Sequence, residues 1–140
     1  MPYAEDVNFW ATGKSDPGKW IDAAKRQLKA LGGEFKGEGF GSDGEGKAAF
    51  MLAFEIKGDK FKIIWPVLKS RSGNERGARV QAATSLYHYV KAVCLYAAVV
   101  GTRTAFFSHF MLTDGRTASE VSGHELAEMT PRLFLKAKTD

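Results

Sequence analysis

The stretch that decides the fold is Ala48-Ala49-Phe50-Met51-Leu52-Ala53-Phe54-Glu55-Ile56-Lys57-Gly58-Asp59-Lys60-Phe61-Lys62-Ile63-Ile64-Trp65-Pro66. Ala48, Phe50, Leu52, Phe54 and Ile56 alternate with Ala49, Met51, Ala53 and Glu55. A period of two is the side-chain repeat of a strand with one buried face. Gly58-Asp59 has the chemistry of a two-residue hairpin turn with glycine first. Phe61, Ile63 and Trp65 then return with the same period. Closing the hairpin there predicts Ile56 opposite Phe61, Phe54 opposite Ile63 and Leu52 opposite Trp65. Such a face needs a helical layer over it. The other face pairs Glu55 with Lys62, Ala53 with Ile64 and Met51 with Pro66. It is less polar than a solvent face, which points to a partner chain, a ligand or another part of the fold over it. Pro66 marks the end of the strand or a sheet edge.

Upstream of the hairpin, Phe35 to Phe40 reads as a short strand with bulges, weakened by Gly37 and Gly39, and Gly41 to Lys47 as a flexible acidic turn. Trp20, Ala24, Leu28 and Leu31 recur at helical spacing. That helix starts at Ser15-Asp16-Pro17, a capping oxygen followed by proline in the first turn, and stops at Gly32-Gly33. Asp22 and Arg26 form an i, i+4 pair on it.

Downstream, Lys69 to Gly77 is a basic loop. A long helix follows, starting at Glu75 or Ala78 and running to Val100, with Gly101 ending it. Val80, Ala83, Tyr87, Val90, Cys94 and Ala97 form its core seam, and Leu86, Tyr89, Val93, Tyr96 and Val100 a second stripe. From Leu86 nearly every position except His88 and Lys91 is apolar. That predicts a central helix, with Lys91 a charge inside it, or an oligomer interface. Ala105 to Leu112 predicts a strand, with a helix as the alternative. Thr113-Asp114-Gly115-Arg116 is a turn, and Thr117-Ala118-Ser119-Glu120 a capping box opening a helix to about Met129. Pro131 breaks that helix, and Leu133, Phe134 and Leu135 pack last.

The expected fold is therefore α+β: an N-terminal helix, an antiparallel β-hairpin or three-stranded sheet, a long central helix and a short C-terminal β/α segment. Residues 1–14 read as an N-terminal arm, 15–135 as a single α+β domain and 136–140 as a tail. The arm has Tyr3, Phe9 and Trp10 but no period, which leaves open whether it packs.

A length of 140 residues, 44% of them hydrophobic and 26% charged, fits one folded domain. A single cysteine excludes an internal disulfide framework and points to a reducing compartment, the cytoplasm. No Cys/His spacing suggests a metal site. Gly37-Glu38-Gly39-Phe40-Gly41 lacks the spacing and the following helix of a dinucleotide loop, and no Walker-type phosphate loop exists, so no cofactor is expected. Met1 to Trp10 lacks the basic start and apolar run of a leader. The nearly apolar run Ala92 to Val100 is far short of the roughly 20 residues that span a bilayer, so no membrane partner is expected.

The net charge of +4 is segregated. Lys69, Arg71, Arg76 and Arg79 cluster in and after the basic loop, and Lys25, Arg26 and Lys29 lie on the N-terminal helix. Glu34, Glu38, Asp43 and Glu45 gather around the glycine-rich turn. Segregated sign is what a phosphate-binding face needs. Arginines add bidentate contacts to phosphate, and the first amides of the long helix add donors. Single strands also need aromatic platforms beside the basic groove. Phe61 and Trp65 fall on the core face, whereas Tyr3, Trp10 and Phe40 are freer.

Other chemistry reads more weakly. Cys94 lies on the core seam, where packing explains it. His88, His109 and His124 are scattered. Glu55-Ile56-Lys57 matches the Glu-x-Lys element of a nuclease class, which would hold Mg²⁺ with a second acid from Asp43 or Glu45. A cross-strand pair with Lys62 accounts for Glu55 without catalysis.

Three segments carry a likeness: Phe61-Lys62-Ile63-Ile64-Trp65-Pro66-Val67-Leu68, Leu86-Tyr87-His88-Tyr89-Val90-Lys91-Ala92 and Leu112-Thr113-Asp114-Gly115-Arg116-Thr117. With the helix ending in Gly32-Gly33, they resemble a family of small proteins of bacteriophages and prophages, over most of Trp20 to Leu135. The resemblance implies a phage setting and brings no catalytic signature. The order helix, antiparallel strands, long helix is also similar to double-stranded RNA-binding and strand-annealing modules.

The expectation is a non-catalytic accessory protein of phage DNA metabolism. Its partner is nucleic acid, single-stranded DNA first, held through the phosphate backbone, with a homo-oligomer or a host protein as further partners. The alternatives are a protein-interaction module acting on a host enzyme through the Met51–Ile64 face, and the Glu55/Lys57 nuclease.

Overall fold

The computed structural model describes residues 2–10, 16–42 and 47–129. Its centre is a three-stranded antiparallel sheet in the order β1 (Glu34–Ser42), β2 (Ala48–Ile56), β3 (Asp59–Pro66). The hairpin closes one residue earlier than expected. Lys57 and Gly58 form the turn, with φ of 51° and 84°, and Ile56 pairs with Asp59. Two positive φ values make a type I′ turn, whose second site suits Gly58. Asp59 is not free to be a turn residue, because Arg103 grips its carboxylate at 2.7 and 3.0 Å.

Each β2 residue consequently pairs with a β3 residue two positions earlier than expected: Phe54 with Phe61, Leu52 with Ile63, Phe50 with Trp65. A slip of two keeps every side chain on its face, so the core is unchanged. Across the outer face, Glu55 lies opposite Lys60, Ala53 opposite Lys62 and Met51 opposite Ile64. Glu55 instead pairs with Lys36 on β1 at 3.6 Å. Lys62 reaches the C-terminal segment, donating to the Gly115 carbonyl at 3.2 Å.

β1 carries a bulge between Phe35 and Gly37. It sets Phe35, Glu38 and Phe40 on the helix side and turns Gly37, Gly39 and Gly41 outward opposite Ala53, Met51 and Ala49.

Two helices cover the inner face. α1 (Pro17–Ala30) is capped by Asp16, whose carboxylate accepts from Gly18 N at 3.2 Å. The other expected cap, Ser15, lies outside the described residues. α1 buries Ile21, Ala24 and Leu28. α2 (Glu75–Val100) starts at the earlier of its two expected positions, with the Asn74 side chain accepting from Gly77 N. It buries Ala83, Leu86, Val90, Cys94 and Ala97 in the core it shares with α1 and the sheet. Phe54, Phe61 and Phe106 close the centre, with ring centroids 5.5 to 5.6 Å apart. Burying such side chains contributes roughly 1.5–3 kcal/mol each, and edge-on ring geometry adds to it.

The C-terminal segment departs from the expected strand. After Gly101 the chain makes a short helix, α3 (Thr102–Ala105), and a 3₁₀ turn at Phe107–His109. Only single bridges follow, Phe110 to Phe61 and Met111 to Thr117. Phe106 drives into the core, Arg103 holds Asp59 and Met111 N donates to the Lys60 carbonyl at 2.8 Å, so the segment is anchored by side chains and one backbone bond rather than by a continuous ladder. The Thr117–Glu120 capping box forms, but it caps a 3₁₀ turn. The chain extends at Val121 before α4 (Gly123–Met129) begins. Pro131, the expected packing of Leu133, Phe134 and Leu135, and the tail at 136–140 lie outside the described residues.

α2 is also, among the described residues, the one helix whose length and composition suit a membrane span, with an 18-residue window of mean hydropathy 1.2. One face of it forms the core. Its second half is not central, however: Leu95, Tyr96 and Val99 are exposed, as is Lys91.

Candidate nucleic-acid interface

The basic residues converge only in part. β3 ends at Pro66, and the chain then runs through Lys69 to the first turn of α2. This brings Lys69 and Arg79 to the rim of one cleft of about 390 Å³, with Ser70, Gly73, Glu75 and Phe40. Phe40 comes from the far end of β1. It leans on Phe50 at 4.9 Å, and 48% of its surface stays exposed. The Arg79 guanidinium stands 5.8 Å from the Phe40 ring. The cleft thus offers a half-exposed aromatic face flanked by two cations, the chemistry on which an unpaired base and its phosphate are held. Arg76 is exposed on the same first turn of α2 and has no ion-pair partner among the described residues.

Arg71 does not join them. Its Nη2 donates to both oxygens of Asp6 at 2.9 and 3.1 Å, and its guanidinium stacks over Tyr3 at 4.8 Å. The helix α1 group is divided as well. Lys25 is held by Glu38 and lies over the Phe35 ring at 5.2 Å. The Glu38 hydrogen bond raises the Lys25 pKa, so the ammonium is spoken for. Arg26 and Lys29 are exposed, without ion pairs among the described residues, and they do not line the cleft. The expected Asp22–Arg26 pair does not form.

The part that the sequence reading left open is the arm. Residues 2–10 pack on the basic loop and the start of α2. Ala4 is fully buried and donates its N–H to the Lys69 carbonyl at 2.8 Å. The buried Gln81 amide donates to Ala4 O, Val7 O and Asn8 O at 2.6, 3.0 and 3.0 Å. Phe9 stacks on His88 with centroids 4.6 Å apart. Gly77 lies between the Asn74 cap and the Trp10 ring: a Cβ there would stand 2.7 Å from the Asn74 amide and 2.9 Å from the ring, so any larger residue displaces one of them. The available signals were Gln81, polar on an apolar stripe, and the acids Glu5 and Asp6. Of the freer aromatics, Phe40 flanks the basic cleft, Tyr3 lies under Arg71 and Trp10 is half-buried.

Other candidates have structural occupations. Cys94 is buried, and burial pushes its thiol up to about 11, far from a nucleophile. His109 shares a hydrogen bond with the Tyr89 hydroxyl at 2.6 Å, and burial lowers its pKa. Lys57 is an exposed turn residue, and Glu55 is neutralised by Lys36. Asp43 and Glu45, the second acids of the nuclease reading, lie outside the described residues. Among the described residues no group of three His, Cys, Asp or Glu side chains is placed to hold a metal.

No family model, curated protein or solved structure gives a significant match to this chain.

Proposed function

We propose that the protein binds single-stranded nucleic acid, DNA in the first instance, as a non-catalytic accessory protein of phage DNA metabolism in the cytoplasm of the bacterial host. The observation that carries this reading is Phe40, half-exposed under Arg79 at the rim of the cleft that Lys69 shares. A half-exposed phenyl ring beside two cations is a platform for a base. Lys69, Arg76 and Arg79 supply the phosphate contacts. The phage setting rests on the resemblance of the three quoted segments.

The test is fluorescence anisotropy with a labelled single strand and its duplex, between about 50 and 200 mM salt. Three phosphate contacts give a slope of log affinity on log salt of about −2 for a single strand, and the variant Lys69→Ala/Arg76→Ala/Arg79→Ala loses it. Phe40→Ala costs about 1–3 kcal/mol and leaves the salt slope intact, because stacking releases no counterions. Absence of binding at low salt to either form overturns the reading. Shortening of the oligonucleotide only with Mg²⁺ returns attention to Glu55 and Lys57.

A second reading is favoured by the outer sheet face. Ile64 is 40% exposed opposite Met51, whose other neighbour is Gly39 in the open row of Gly37, Gly39 and Gly41. A host protein docking there binds with little salt dependence. Ile64→Asp abolishes that binding and leaves oligonucleotide binding intact.

A further inference from the structure

The carboxylate of Glu5 sits in a cradle made by a loop far away in the chain. Its Oε1 accepts from Arg71 N at 2.8 Å. Its Oε2 accepts from Ser70 Oγ at 2.6 Å, Ser72 N at 3.1 Å and Ser72 Oγ at 2.9 Å. Beside it, Asp6 takes both contacts of the Arg71 guanidinium. Four donors converging on one anion hold the Glu5 carboxyl down at about 2, the Ser70 hydroxyl most of all.

Two successive backbone amides with two hydroxyls form an anion-binding concavity, and they do not depend on the anion being a carboxylate. A phosphodiester presents two charged oxygens to the same donors, as the Glu5 carboxylate does. The adjacent Arg71 fork fits its geometry bidentately. Ser70 also lines the Phe40 cleft, so an anion here continues the path set by Lys69 and Arg79. The arm does not have to leave for this. Gln81 and the Lys69 carbonyl hold its backbone at Ala4, Val7 and Asn8, so displacement asks only the Glu5 and Asp6 side chains to turn out, Asp6 giving up the Tyr3 N–H as well as Arg71.

We propose that the Ser70–Ser72 loop is a phosphate cradle that the chain's own Glu5 and Asp6 hold shut, and that a phosphate of the bound nucleic-acid strand seats there by displacing them. This rests on the nucleic-acid reading of the neighbouring cleft. It makes the acidic arm an intramolecular competitor that lowers the affinity for any ligand whose phosphate must seat in the cradle.

The test uses the full chain, with inorganic phosphate titrated by calorimetry and a labelled single strand by anisotropy. Glu5→Ala is expected to bind both about tenfold or more tightly than the unaltered protein. Adding Ser70→Ala and Ser72→Ala to it removes the gain. Glu34→Ala, which deletes an acid on β1, controls for net charge and is expected to change affinity less than about twofold. Glu5→Gln, which keeps the side-chain volume, moves in the same direction and covers any loss of folding in Glu5→Ala. A gain no larger than that of Glu34→Ala, or one that survives removal of both serine hydroxyls, overturns the cradle. The two readings fail separately. Phosphate binding gained by Glu5→Ala without oligonucleotide binding by any variant leaves the cradle standing and removes the nucleic-acid reading. Oligonucleotide binding that depends on Lys69, Arg76 and Arg79 but ignores Glu5 does the reverse.

Discussion

The two ends of α2 invert the usual rule. Near its start, Gln81 and Thr84 are polar and buried. Near its end, Leu95 and Val99 are apolar and 71% and 79% exposed. The difference is the arm. Residues 2–10 lie across the first half, supplying three carbonyls to the Gln81 amide, while Thr84 satisfies its hydroxyl on the Val80 carbonyl at 2.7 Å. Nothing among the described residues lies across Leu95 and Val99. Burial along a helix therefore follows what covers it, and the residue types record only part of that.

The largest effect expected from this comparison is on the shared inner face. Leu86→Ala, at a fully buried position, costs about 3 kcal/mol, whereas Leu95→Ala changes stability by no more than about 0.5 kcal/mol. Denaturant midpoints compare the two directly. A Leu95→Ala cost as large as that of Leu86→Ala would mean that the bare half is covered in solution.

Next is the anchor of the covered half. Gln81→Leu removes the amide shared by the Ala4, Val7 and Asn8 carbonyls, of which Ala4 O keeps the Val7 N–H, at a cost of about 2 kcal/mol. Limited proteolysis is expected to cut the arm of this variant faster than that of the unaltered protein. Equal rates would show that Phe9 and Trp10 hold the arm unaided.

A smaller effect is set by pH where α2 is braced from the other side. Burial lowers the His109 pKa from 6.5. The unfolded chain then binds the proton more readily, so the stability His109 contributes is complete above pH 6.5 and declines as pH falls toward its folded value. His109→Leu is expected to flatten the fall in urea midpoint over that interval, and an unchanged slope would exclude His109 as its source.

The smallest is chemical. Cys94, on the buried side of the bare half, is expected to resist alkylation at neutral pH until the protein unfolds. Rapid labelling of the native state would place that thiol in contact with solvent.

How legible the molecule was varied with the range of the interaction. The alternation from Ala48 to Trp65 carried the hairpin faces, and the seam from Val80 to Ala97 carried the inner side of α2, because both are local periodicities imposed by one apolar layer. The hairpin register was not legible. Gly58 suits either turn, and the choice fell to Asp59, which Arg103 claims from beyond α2. The C-terminal apolar run was too short for its period to choose strand or helix, and Phe106 entering the core settled it. At the candidate site, Lys69, Arg79 and Phe40 were visible singly as charge and aromatic. That Phe40 lies beneath Arg79, and that Arg71 is withdrawn by Asp6, depended on contacts between distant segments.

The sequence by itself determined the α+β class, the antiparallel hairpin, the helical layer and the segregation of charge. Each of these follows from side-chain periodicity or composition within a short window. Only the tertiary structure decided the turn, the seat of the arm, and which cations are held in ion pairs. These depend on individual hydrogen bonds and ion pairs, whose partners are chosen by distance in space and leave no period in the chain.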